Sequence, residues 1–112
     1  MKTGEIWYIH WGPGRGHEFQ KRRPGIIVGS EASLKHQSVI TAVPLTSNLD
    51  HRCPGDILIP KDTVNNLSKD SLVRMGHINS FDPQRFLGHV GDISVTQQKA
   101  IQQSLQAHFG WD

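Results

Sequence analysis

Cysteine is almost missing from this chain: Cys53 is its single thiol in 112 residues. One thiol excludes an intrachain disulfide and agrees with a reducing compartment, so a cytoplasmic setting is expected. Long apolar runs are missing as well. No stretch approaches the roughly 20 apolar residues that cross a bilayer. The opening MKTGEIWYIH also lacks the apolar centre of a signal peptide, and no membrane association is expected. Neither sign of charge dominates. Lys and Arg number 12 against 10 Asp and Glu, a formal balance of +2 that does not by itself announce nucleic acid.

Several familiar motifs are absent too. GPGRGH has alternate glycines but lacks the Lys-Ser/Thr of a phosphate-binding loop. No Gly-x-Ser-x-Gly supports a serine nucleophile. Seven histidines are scattered, and His51 near Cys53 forms no recognised ligand spacing, so neither metal nor cofactor is expected. Repeats, low-complexity tracts and linkers are lacking, which reads as one domain over residues 1–112.

What the chain does contain is a series of short strand signals followed by one helix. EIWYIHW, PGIIVGS, SVITAVPL, GDILIP and SLVRMGHINS are β-branched or alternating segments, separated by Gly, Pro, Asn and Asp clusters. Short strands at close spacing suggest a small barrel or sandwich. Helical signals take over at SVTQQKAIQQSLQAHFG. Ser94 and Gln97 fit a capping box, Ile101, Leu105 and Phe109 form an apolar stripe, and Gly110 stands where a left-handed cap belongs.

Charge is uneven even where its total is small. Arg15, Lys21, Arg22 and Arg23 crowd one stretch, tempered by Glu18. The segment GPGRGHEFQKRR reads as a loop, too glycine-rich for a helix and too polar for a strand.

In this order and at this spacing, GEIWYI, GHEFQKRRPGIIV, VPLTSN, NLSKDSLVRM and RFLGHVGDIS resemble the MazF/PemK family of toxin–antitoxin ribonucleases along nearly the whole chain. The resemblance implies a mainly β fold with a C-terminal helix, an SH3-like small barrel of the MazF/PemK/CcdB type (α+β). It also implies a two-fold homodimer that cuts single-stranded RNA without metal or cofactor. A cognate antitoxin with an acidic, disordered segment would inhibit it.

RNA can be cut without metal because its own 2′-OH attacks the adjacent phosphorus. The protein must align the chain, move protons and supply donors to the phosphorane oxygens. The resemblance assigns Arg23, of the Arg-Pro that opens a strand, to catalysis. Arginine suits phosphate because its planar fork is always charged. The plainer role is a solvated strand end. Thr46 matches the family's active-site threonine and Ser47 stands beside it; the plainer role for both is capping a turn. His17 and Arg74 match residues of the PemK branch. Phe19 offers a stacking surface for RNA, with Lys21, Arg22, Ser47 and His77 as further contacts.

One departure matters. The PemK branch carries an aspartate two residues after the arginine at Arg74, proposed as its base, and this chain has Gly76. The family's usual Gln-x-Arg-Thr is replaced by His77, Asn79 and Ser80. Proton transfer then falls to His17 or His77, or catalysis leans on arginine and hydroxyl groups alone, or activity is weak. Two other outcomes compete with an active ribonuclease. One is a CcdB-like gyrase poison, kept in view by Trp111 but opposed by Arg-Pro and Pro-x-Thr-Ser. The other is a degenerate relative that binds RNA or antitoxin without cutting.

Overall fold

Apolar residues in the middle of the chain come in unbroken runs, and the fold buries both sides of them. The computed structural model describes residues 1–12 and 21–111. Its strands are β1 (Glu5–His10), β2 (Arg22–Ile27), β3 (Ile40–Thr46), β4 (Ile57–Ile59), β5 (Ser71–Val73), β6 (Asn79–Phe81) and β7 (Phe86–Asp92). Two α-helices, α1 (Glu31–His36) and α2 (Val95–His108), complete it. Pairing is antiparallel along β4-β5-β3-β2-β1-β7, with β6 also on β3. The path ends at β4 and β7, so among the described residues the expected barrel is an open sheet. The mainly β architecture with a C-terminal helix is as expected. No described helix is long and apolar enough to cross a membrane.

Each face of this sheet has its own core. Ile6, Ile26, Val43, Leu45 and Val73 pack beneath α2 through Ile101. Ile9, Ile27, Ala42, Phe81 and Phe86 form the second cluster, which Trp7 and Trp11 flank. Burial on both sides explains why β2 and β3 read as continuous apolar runs rather than alternating ones.

Two expectations are corrected. SLVRMGHINS is not one strand. A 3₁₀ turn at Met75–His77 divides it, and the pairing on β3 slips by three residues between β5 and β6. The apolar stripe of α2 is also shorter than expected. Ile101 is buried and Leu105 packs on the first core, but Phe109 is 46% exposed and stacks on Trp111 instead. The chain has already reversed there. The Trp111 N–H donates to Gln106 O and the Gly110 N–H to Ala107 O, closing a Schellman cap with Gly110 at φ 72°. At the other end the Ser94–Gln97 capping box forms as expected.

Candidate functional site

Two prolines place a gap in the sheet. Pro24 and Pro44 have no N–H to give, and the β2–β3 ladder stops at Gly25↔Pro44. Continuing that register beyond the last pair sets Arg23 across from Thr46. On the other edge of β3, Thr46 pairs with Leu72, and the Arg74 N–H donates to Pro44 O at 3.0 Å. Side chains alternate along strands, so Arg23, Thr46 and Arg74 share one face of three adjacent strands. Arg23 also shares it with its β1 partner Ile9.

The backbone around Arg23 is held firmly. Trp11 Nε1–H donates to Arg23 O at 3.2 Å. That indole can lie over β2 only because position 25 is glycine. A Cβ there would come within 2.8 Å of Ile9 Cδ1 and 3.1 Å of Trp11 Cζ2. Just before β2, Lys21 adopts φ 63°, rare for a residue with a side chain, and its N–H donates to Gly12 O at 3.1 Å. Gly12 and Lys21 thus form the base from which residues 13–20 depart. His17 and Phe19 fall in that segment, outside the described residues.

Thr46 is buried, and its Oγ1 accepts from the Asn48 N–H at 3.2 Å. The turn-capping role is therefore present. Accepting uses a lone pair and leaves the hydroxyl proton free to be donated. Ser47 points the other way. It lines a polar cleft of about 260 Å³ with Arg22, Arg23, Tyr8, Asn66 and Lys69. Arg22 and Ser47, two of the expected site residues, thus line this cleft on the face opposite the Thr46 and Arg74 row, and Arg23 borders both. Tyr8, Asn66 and Lys69 were not anticipated, although NNLSKD was legible as a polar turn.

Arg74 is held by an ion pair. Its Nε donates to Asp56 Oδ2 at 2.9 Å, and its Nη2 lies 3.5 Å from Cys53 Sγ. Asp56 is 5% exposed and also accepts from the Cys53 and Met75 N–H groups. Those bonds give the buried carboxylate its hydrogen-bond partners and fix the guanidinium in place. Sequence reasoning did not find Asp56, because nothing local to CPGD signals a contact with Arg74. His77 ends the 3₁₀ turn after Arg74, half-buried, its N–H bonded to Arg74 O. Gly76 is exposed, and a Cβ added to it meets nothing within 4 Å.

A small antiparallel sheet with a C-terminal helix packed on it thus sets Arg23, Thr46 and Arg74 in a row where its ladder opens. Residues 2–109 match the profile of the PemK-like, MazF-like toxins of type II toxin–antitoxin systems, and the chain belongs to that family. It is 30% identical to endoribonuclease MazF9 of Mycobacterium tuberculosis, covering 96% of this chain and 95% of the relative. MazF of Deinococcus radiodurans has the same fold, with a TM-score of 0.80 at 21% identity over 98% of this chain and 96% of that one. So does a mycobacterial endoribonuclease solved with its cognate antitoxin, with a TM-score of 0.78 at 18% identity over 98% and 95%.

Proposed function

We propose that this chain is the toxin of a type II toxin–antitoxin pair, an endoribonuclease that cuts single-stranded RNA by attack of the 2′-OH. The observation that carries this reading is the register that sets Arg23 across from Thr46, with Arg74 beside them, where Pro24 and Pro44 end the ladder. Two guanidinium groups, that of Arg74 fixed by Asp56, and a hydroxyl suit a phosphorane, whose charge spreads over several oxygens. In this reading Arg23 makes paired hydrogen bonds to the scissile phosphate. Thr46 donates its hydroxyl proton to a second oxygen. Arg74, held by Asp56, adds charge without moving.

Arg22, Lys69 and Ser47 guide the flanking strand along the cleft, where half-exposed Tyr8 offers a base a stacking face. Lys21 and Phe19 belong to the same path. Proton transfer belongs to His17 or His77, since Gly76 carries no carboxylate. Residues 1–112 act as one cytoplasmic domain, paired as a homodimer. An antitoxin's acidic segment would compete with RNA for the same arginines. The relatives reported above are named MazF or endoribonuclease, which favours RNA cutting over gyrase poisoning.

The test maps a cut site in a long RNA and then offers two short oligonucleotides spanning it. One is all-ribose and the other lacks the 2′-OH on the nucleotide 5′ to the cut. Cleavage of the first to 2′,3′-cyclic phosphate and 5′-hydroxyl ends, with the second intact, is the expected result. Cutting of both would contradict the 2′-OH mechanism. An intact long RNA at high enzyme excess would sink the enzyme itself.

A further inference from the structure

The end of β1 remote from Arg23 carries a cluster that the proposed cleavage does not use. Glu5 pairs with Asp92 and Trp7 with His89 across β1 and β7, and a register shift separates the two pairs. In an unbroken strand, residues three apart face opposite sides. The bulge re-aims them, so His89 and Asp92 meet Glu5 on one side. His89 Nε2 lies 3.2 Å from Asp92 Oδ1, 3.0 Å from Gly91 O and 3.9 Å from Glu5 Oε2. The ligand atoms of the three side chains all lie within 4.8 Å of one another.

Two groups outside the cluster orient it. Glu5 Oε1 accepts from the Lys2 N–H at 2.8 Å and from Trp7 Nε1–H at 3.0 Å, while Oε2 is the oxygen nearer His89. The Trp7 ring stacks on the imidazole at 5.5 Å with an interplanar angle of 23°, setting the plane of His89. Outer contacts that fix a ligand's orientation are what metal sites need beyond the ligands themselves. Burial alone would push the Glu5 carboxyl up. The Lys2 amide, the Trp7 indole and the His89 charge outweigh it and hold the group below its ordinary value.

We propose that Glu5, His89 and Asp92 bind a divalent cation of the zinc class, stapling the start of β1 to the end of β7 without entering the cleavage reaction. One imidazole and two carboxylates suit such an ion. Bonds of about 2.0–2.1 Å in a tetrahedral site hold donor atoms roughly 3.3 Å apart, so the ligands need close by about 1.5 Å at most. Asp92 and His89 are exposed enough to allow that closure and to admit the ion. Gly91 O or a water completes the shell. His89 binds through Nε2, whose proton leaves for solvent while Nδ1 keeps its own.

The test is a zinc titration of the full chain, stripped with EDTA and then freed of it, read by ¹⁵N spectra of labelled histidines and by thermal melting. His89→Gln identifies the His89 signals. Asp92→Asn keeps the shape of an exposed side chain and removes one charge. The expected result is a large shift of His89 Nε2 that saturates with zinc and a higher Tm. Both responses should be lost in His89→Gln and need at least tenfold more zinc in Asp92→Asn. Shifts confined to other histidines, or an equal Tm rise in both variants, would overturn the site and leave an ordinary ion pair. Neither readout involves RNA, so failure here is separable from failure of the ribonuclease reading.

Discussion

Arg74 answers to two partners, a buried carboxylate already in contact and a phosphate it would meet in the reaction. Truncating it leaves the buried Asp56 without its cation. Arg74→Ala is therefore expected to lower stability by about 3 kcal/mol, measured by urea unfolding, besides reducing cleavage. A loss of cleavage with unchanged stability would mean that Asp56 does not depend on the guanidinium. Gly76 supports the opposite kind of substitution. Because a Cβ there meets nothing within 4 Å, Gly76→Asp should melt like the parent. It should also raise kcat by restoring a carboxylate base, in the range of about 10–100-fold. An unchanged kcat would show that the existing proton-transfer groups suffice. Arg23, Thr46 and Ser47 could be singled out from sequence because their strings are local, an Arg-Pro and a Pro-x-Thr-Ser. Asp56 was not, since its role rests on a contact 18 positions away with Arg74.

Strands and helices were legible in proportion to how much of their signal is local. The capping box of α2 is written within four residues, and it forms as read. Ser94→Ala should cost about 1 kcal/mol, seen in thermal melts, with cleavage unchanged at room temperature. The failures share a cause in tertiary pairing. Alternation in SLVRMGHINS is real, but β3 needs two partners along one edge, and the three-residue slip at Met75–His77 supplies the change of register. Phe109 follows the period of the stripe but lies past the last regular turn, where the Schellman cap turns the chain away. The bulge between β1 and β7 carries no sequence mark either. Seven histidines therefore read as scattered until His89 is seen beside Glu5 and Asp92.

For the whole molecule, the distribution of charge matters more than its total. A formal +2 predicts little, yet Arg22 and Lys69 line one cleft that Arg23 borders, while Asp56 engages Arg74. RNA affinity should therefore fall steeply with salt. Arg22→Ala and Lys69→Ala should each reduce the slope of log K against log salt by about 0.7, the value for one phosphate contact on a single strand. A slope identical in parent and variants would move the RNA path off this cleft. The most direct measurement is cleavage of a long single-stranded RNA by purified protein in excess EDTA, with Arg23→Ala beside it. Discrete fragments from the parent, reduced on the order of 100-fold or more in the variant, are the predicted result. Equal cleavage by both proteins, or cleavage that EDTA abolishes, would contradict a metal-independent site built on Arg23.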